Sequence, residues 1–411
     1  MNQRGGRPGF IRVVPSDGRT VILPDYSGNR FMTSLGNIEA TPLASFTFVS
    51  FTTGDVLYLT GDAKNLFGSD ARKLMTLQNA LTAVYVTGFV YVRDALPVRQ
   101  RPGTQPDRSP YSPPIKRLVE ETPDSGLFDD EDKTTALLTR IDLHHPSIAT
   151  FTWELSRELN LIPGQAIVLD LSRLVGAVQY QHMAAYNPAS VNDNRIRTWT
   201  VSSAHPNSAT RTFSLTIRHQ PGGAITTALF TIAHKLAQLK PEVLADSRPL
   251  QCEVDVIGVS GEFVLPAYTT STAKEQKFLW IAGGIGITPF LSMLKSLRNS
   301  PSDVRWDIRM VLSTREPEIL LHFIAEALEG AEQVHFTLHV FSKEMIPDVN
   351  GITLHRHAGR LDQSFFEQAN LDLQGREVYL CGPDSFEKMT SEALVQAGVP
   401  PKAIKKEGFE Y

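Results

Sequence analysis

Cysteine is scarce in this chain: Cys252 and Cys381 are the two in 411 residues. Two thiols cannot build a disulfide framework, a structural zinc site or a thiolate-held iron–sulfur cluster. Charge of one sign is lacking too, with 40 Lys and Arg against 44 Asp and Glu and a net charge of -4. That balance gives no electrostatic case for a nucleic-acid or anionic-membrane partner. Long apolar runs are missing. The longest, Phe278 to Leu294, is interrupted by Gly283, Gly284, Gly286 and Pro289. A spanning helix needs about 20 apolar residues, so no membrane span is expected. The N-terminus, MNQRGGRPGF, has no apolar h-region and does not read as a secretory signal. The expectation is a cytoplasmic protein. At 42% hydrophobic and 20% charged residues, wholesale disorder is excluded.

The texture of the chain changes along its length. Residues 1–100 read as short β-branched and aromatic runs (FIRVV, TVILP, SFTFVS, DVLYLTG, AVYVTGFVYV) separated by tight turns, with one helix near 71–80. Many short strands argue for a small barrel. Residues 101–133 are rich in Pro and charge and predict a semi-extended linker. Its acidic run, Asp129 to Asp132, reads as solvated rather than metal-binding. Residues 134–272 predict a second, antiparallel barrel interrupted by a helix over 229–238. From 273 to 411 strand and helix patterns alternate, the signature of a doubly wound parallel sheet. The fold class is therefore multidomain, β and α/β.

Five segments carry candidate chemistry. Arg197, Trp199 and Thr200 lie on one strand; a guanidinium can pair with a diphosphate, an aromatic can cover a flat ring, and a hydroxyl can donate to a ring nitrogen. A half-buried strand explains the same residues. Gly222 and Gly223 open a helix that Thr226 can cap, and such an N-terminus favours phosphate. An ordinary strand–turn–helix joint is the plain alternative. Gly283, Gly284, Gly286 and Thr288 form a glycine turn after the first parallel strand, where ligands of open α/β sheets bind. The turn is not G-x-G-x-x-G, so the usual dinucleotide fingerprint is absent. Cys381, Gly382 and Pro383 repeat the strand–turn–helix pattern, and Glu407 and Phe409 lie near the C-terminus. Ser313 and Arg315, at the end of the second strand, would suit a phosphomonoester, a surface-loop Arg being the alternative. The histidines at 144, 145, 335, 339, 355 and 357 match no metal-ligand spacing, so no metal is assigned.

Order and spacing give these segments meaning together. From about Thr134 to Tyr411 the sequence resembles the ferredoxin–NADP reductase family, including the reductase module of flavohaemoglobins. The family pattern R-x-[YF]-[ST], G-x-x-[ST], G-x-F, G-G-x-G-[IV]-[TA]-P, C-G-P and E-x-F is met by Arg197/Trp199/Thr200, Gly223/Thr226, Gly261/Phe263, Gly283 to Pro289, Cys381 to Pro383, and Glu407/Phe409, in order. The resemblance implies that Arg197 and Thr226 hold a flavin diphosphate, that Trp199 lies against the isoalloxazine and that Thr200 hydrogen-bonds near N5. It also implies that the Gly283–Thr288 turn takes the nicotinamide cofactor's pyrophosphate. Cys381 then sits beside the nicotinamide C4, with Glu407 and Phe409 closing the site. Trp199 departs from the usual Tyr or Phe.

Residues 1–100 resemble the pyridoxamine 5′-phosphate oxidase-like split barrel, on RGGRPGFIRV, LPDYSGNRFMTSLGNI, SFTFVSFTTGDVLYLTG and DALPVR. That resemblance implies FMN contacts from Arg30 and Ser34 and, since split barrels usually pair, a homodimer. The chain begins at the RGG segment, so a truncated barrel is expected, with a purely structural or dimerising domain as the alternative. Together the resemblances imply a flavin-dependent NAD(P)H oxidoreductase. Hydride passes from NADPH or NADH to a flavin, FAD or FMN, and electrons go on to a small-molecule or redox-protein acceptor. In many relatives an attached iron–sulfur domain carries them; two cysteines and an end at Tyr411 lead us to expect none here. The rival reading is a non-catalytic flavin-binding or scaffold protein with a degenerate N-terminal barrel.

Overall fold

The computed structural model describes the chain except residues 1, 28–31, 106–108, 123–125, 129–133, 177–183, 185, 206–207, 267–274, 301–303, 350, 369–370, 372, 374 and 409–411. Two compact units emerge: Met1–Ser125 with Val178–Asn194, and Gly126–Ala177 with Arg195–Tyr411. Arg30, Phe409 and the acidic run Asp129–Asp132 lie outside the described residues.

The first unit is one five-stranded antiparallel sheet. Its strands are β1 (Arg12–Val13), β2 (Thr20–Pro24), β3 (Leu43–Val49), β4 (Val56–Phe67) and β5 (Ala80–Val92), in the order β1-β2-β5-β4-β3. Helices α1 (Thr33–Ala40) and α2 (Ser69–Leu74) accompany it. The expected helix near 71–80 is shorter and earlier, because Ala80 already pairs with Phe67 as β5 begins. FIRVV supplies a two-residue strand only. The core is small: Val14, Ile22, Ala71, Met75, Leu81 and Leu118.

Leu118 belongs to the stretch that reads as a semi-extended linker. It is 2% exposed. Beside it Glu121 takes the Arg12 guanidinium at 2.9–3.0 Å from Nε, Glu120 accepts from Ser16 N at 2.9 Å, and the Lys116 ammonium donates to Gln78 Oε1 at 2.9 Å. Residues 116–121 of this segment thus fold onto the sheet, whereas residues 126–128 belong to the second unit, Leu127 bridging to Gly258. Its one core side chain has no periodic neighbours, and its charges find partners at least 38 residues away, so local pattern carries no trace of the packing.

In the second unit an antiparallel sheet has the order β10-β7-β6-β11-β8-β9. These are β6 (Thr134–His145), β7 (Ile148–Asn160), β8 (Ala166–Asp170), β9 (Ile196–Thr200), β10 (Ala209–Arg218) and β11 (Glu253–Ser260). Alternation along β7 buries Phe151, Trp153 and Leu155 against Phe213 and Leu215 of β10. Short helix α3 (Ser172–Val175), then α4 (Ala224–Leu239) and α5 (Glu242–Ala245), complete this half. Ile225, Leu229, Phe230 and Ala233, at helical spacing, fix the buried face of α4. The helix starts five residues before the expected 229, with Gly223 rather than Thr226 at its N-cap.

The remaining strands form an all-parallel sheet, β15-β14-β13-β12-β16-β17. They are β12 (Glu275–Gly283), β13 (Arg305–Ser313), β14 (Val334–Ser342), β15 (Thr353–Ala358), β16 (Glu377–Gly382) and β17 (Ile404–Gly408), interleaved with α6 (Thr288–Leu297), α7 (Pro317–Leu328), α8 (Gln363–Gln368) and α9 (Asp384–Gln396). Sequence order runs outward from β12 on one side and jumps to β16 on the other. The C-terminal end of β12 is therefore a topological switch point, where open α/β sheets place their ligands. Strands β15 and β17 lie in stretches without a clear period, and sequence pattern does not predict them.

The two sheets of this unit share an aromatic joint. Phe263, just past β11, packs edge-on against Phe290 and Tyr379 at 5.6 and 5.1 Å between centroids. The Tyr379 hydroxyl donates to Val264 O at 2.9 Å, and Gly164 N donates to Ser292 Oγ at 2.9 Å. Arg218 of β10 donates through Nη1 to Glu316 Oε1 at 2.7 Å.

Candidate active site

The switch point is built from glycines that admit no side chain. A Cβ on Gly286 would lie 2.5 Å from Cys381 O and 3.0 Å from Gly382 Cα. One on Gly382 would strike the Phe386 ring at 2.6 Å and come within 3.2 Å of Gly283 Cα. The ends of β12 and β16 therefore press backbone on backbone. Above them Gly284 has φ +55° and open space where a side chain would be. Gly284–Ile287 form a tight helical turn running into α6, with Thr288 buried and Pro289 at its second position, where a missing N–H costs nothing.

Three ends meet here. Cys381 and Glu407 are register partners on β16 and β17. Glu407 Oε1 lies 3.9 Å from the Cβ position of Gly261, itself 3.6 Å from Ala166 N. Ala166 is the register partner of Thr200 across β8 and β9. Gly261 and Ala166 thus bring the antiparallel strand that pairs with the Thr200 strand close to Glu407 of the parallel sheet, itself in register with Cys381. On β9, Thr200 is buried while Arg197 and Trp199 are half-buried. Trp199 packs on the barrel core, and Arg197 Nη1 donates to Ile196 O at 2.8 Å.

Electrostatics in this corner favour neutral groups. Burial, reinforced by Glu387, pushes the Glu407 carboxyl up to about 7. Burial and then Glu407 and Glu387 push the Cys381 thiol well above its ordinary value, so it stands as a neutral thiol rather than a nucleophile. Burial also raises the Glu387 carboxyl, whose Oε1 accepts from Gly382 N at 3.4 Å. Sequence reading passes over Glu387 because an acid in the first turn of a helix needs no other explanation than the helix dipole.

At α4, Gly222 has φ +80° and nothing within 4 Å of a Cβ position. Thr226 does not cap the helix from the N-cap position. It sits in the first turn, and its hydroxyl accepts from Gln220 N at 3.1 Å and lies 3.2 Å from Gln220 O. The hydroxyl ties down the glycine loop, which corrects the expected capping role. Pro383 is exposed at the N-cap of α9, Ser313 is half-buried and Arg315 exposed at the end of β13. His339, His355 and His357 stack on β14 and β15, His339 4.6 Å from His355 and hydrogen-bonded to His357 at 3.1 Å. Among the described residues no group of three or more His, Cys, Asp or Glu is arranged to hold a metal ion, and no helix is long and apolar enough to cross a membrane.

Residues 280–392 match the family described as oxidoreductase NAD-binding domain. The chain is 26% identical over 215 residues to the glycine betaine monooxygenase reductase subunit of Chromohalobacter salexigens, covering 52% of this chain and 51% of that protein. It is 28% identical over 158 residues to the flavohemoprotein of Bacillus subtilis, covering 38% and 37%. Over the parallel sheet of the second unit the chain is thus similar to NAD-binding oxidoreductase domains, and over about half its length to reductase subunits and flavohemoproteins. The chain spans about half, or less, of the length of these relatives. Among solved structures it is similar to the cytochrome b5 reductase domain of Ulva prolifera nitrate reductase, at 20% identity and a TM-score of 0.48 over 69% of this chain and 100% of that one. The glycine turns with open space above them fit two phosphate-bearing cofactors: Gly222 with α4 on the barrel side, Gly284 with α6 on the sheet side.

Proposed function

We infer that the protein is an NAD(P)H-dependent flavoprotein reductase that moves hydride within the second unit and passes electrons to a redox protein or small molecule. Bound FAD would supply the two-electron acceptor for the nicotinamide hydride and release those electrons onward. The residues do the rest. Arg197 and the N-terminal amides of α4 would hold the flavin diphosphate, Trp199 would offer its ring face to the flavin, and the Thr200 hydroxyl would donate a hydrogen bond to orient it. The Gly283–Thr288 turn would hold the dinucleotide pyrophosphate. Cys381, uncharged and buried, would border the nicotinamide, while Glu407 would keep or yield a proton at its carboxyl oxygen. Hydride transfer needs stacking and water exclusion more than acid–base work, and a neutral thiol and a half-protonated carboxyl suit that demand.

The observation that carries this reading is the approach of Glu407 Oε1 to Gly261 while Glu407 stays in register with Cys381. It supports one cleft served by Thr200, Cys381 and Glu407 together. Ser313 and Arg315 support a preference for NADPH, since a guanidinium beside a hydroxyl matches a phosphomonoester. In this reading the N-terminal unit serves the same electron path, through FMN or as a scaffold, and the chain is a homodimer. Anaerobic titration with NADPH and with NADH, and chromatography of the released flavin, tests it. Bleaching of bound FAD by NADPH at lower concentration than NADH is the expected result. Protein that binds no flavin after reconstitution, or a flavin spectrum that neither cofactor bleaches, refutes it.

A further inference from the structure

A cavity in the first unit holds a lysine that no acid meets. About 730 Å³ in volume, it is walled by residues of that unit, among them Arg4, Asp25, Leu77, Gln78, Lys116 and Asp193. Space of that size takes a small organic molecule. Lys116 lies in residues 101–133, between the two stretches that resemble known families. Its Nζ donates to Leu77 O and, at 2.9 Å, to Gln78 Oε1. Both acceptors are fixed. Gln78 is 5% exposed, and its Nε2 donates to Asp25 O and to Ala80 O, each at 2.9 Å, so Oε1 is the atom left to face the lysine. Leu77 has φ +67°, in the left-handed region that favours glycine, and its carbonyl accepts from Nζ. Charge pairing does not explain the arrangement. Arg4 pairs with Asp25 at 3.6 Å, and among the described residues no carboxylate pairs with Lys116. Burial, unopposed by any acid, lowers the Lys116 ammonium from an ordinary 10.5 to about 8.

We propose that Lys116 captures carbonyl compounds: the cavity admits a small polar aldehyde or ketone, and Nζ closes an imine on its carbonyl carbon. A neutral amine has two N–H bonds, and Leu77 O and Gln78 Oε1 accept both. The lone pair, at the fourth position of the nitrogen, is left for the cavity. That pair attacks the carbonyl carbon and forms the N–C bond while the C=O π electrons move to oxygen. The resulting carbinolamine loses its oxygen as water when the C=N bond forms. Both amine protons depart in that water, so the step balances without an oxidant or reductant. An anion is the other partner that a buried cation could take. The two fixed acceptors favour the amine, because they use up its N–H donors. Arg4, the other cation lining the cavity, is held by Asp25 and adds no second free positive charge.

The inference goes beyond the redox reading and does not depend on it. Reductive alkylation of the full chain with p-hydroxybenzaldehyde and cyanoborohydride, followed by peptide mass spectrometry, tests it. At about pH 7 roughly a tenth of Lys116 is amine, against less than about a thousandth of an ordinary lysine. Lys116 should therefore be labelled roughly tenfold or more faster than the exposed Lys64 and Lys343. Its rate should saturate with aldehyde concentration and rise with pH through a midpoint near 8. Lys116→Gln should remove the saturable phase and leave labelling of Lys64 and Lys343 unchanged. Labelling of Lys116 no faster than that of Lys64, or a rate linear in aldehyde, overturns the proposal. Protection by millimolar inorganic phosphate, the mark of an ammonium that holds an anion, overturns it as well. Bound flavin that NADPH does not bleach overturns the redox reading and leaves the labelling result standing.

Discussion

Replacing Glu407 by Gln probes the site without relying on any cofactor. In the folded chain its carboxyl is pushed up to about 7 from an ordinary 4.5. A carboxyl raised by folding contributes stability that is fully present below about pH 4.5 and lost as pH rises through about 7, because the unfolded chain releases its proton first. The whole shift corresponds to about 3 kcal/mol, of which about 2.5 kcal/mol disappears between pH 5 and pH 8.5. A glutamine side chain has no proton to lose, so the variant escapes this dependence. Urea unfolding of wild type and Glu407→Gln at pH 5 and pH 8.5 gives four free energies. Wild type should lose about 2.5 kcal/mol more than the variant over that interval. Losses that agree to within about 0.5 kcal/mol would show that the carboxyl is not held in a desolvated corner, and the site geometry argued from Gly261 would fail with it.

The partner carboxyl gives a graded version: Glu387→Gln should lower the Glu407 titration toward the ordinary range and shrink the same pH-dependent loss, measured by the same unfolding pairs. Gly286→Ala places a Cβ 2.5 Å from the Cys381 carbonyl, with only backbone to move. It should cost on the order of 1–3 kcal/mol in thermal or urea unfolding and abolish saturable NADPH binding by calorimetry. Thr200→Val keeps shape and removes one hydrogen bond. It should slow anaerobic hydride transfer by roughly tenfold in stopped flow, with flavin content retained; an unchanged rate would favour a non-catalytic flavin binder.

Legibility in the sequence followed the physics of each element. The strands and helices from β12 to α7 show themselves because apolar runs, glycine turns and helical spacing repeat without interruption. Strands β15 and β17 do not. Thr353–Ala358 reads TLHRHA, with Leu354 as its one large aliphatic side chain, and His357 stacks on Phe341 at 4.3 Å where an apolar residue would ordinarily mark a strand. Ile404 alone anchors Ile404–Gly408 in the core. Cys381 and Glu407 could be named from order along the chain. Their adjacency needed β17 to join the sheet beside β16. Glu387 stayed hidden because a helix-start acid looks the same whether it faces water or a buried thiol. The folding back of Leu118 was hidden for the opposite reason, its partners being far away in sequence.

One consequence of the aromatic joint concerns motion. Phe263 and Ile148 of the barrel side belong to the same buried cluster as Trp280, Phe290 and Tyr379 of the parallel sheet. Swinging the lobes apart like a hinge would wet several of these side chains, at about 1.5–3 kcal/mol each. The joint therefore holds the two sheets as a fixed vise, so the corner between them stays shut to whole-lobe breathing.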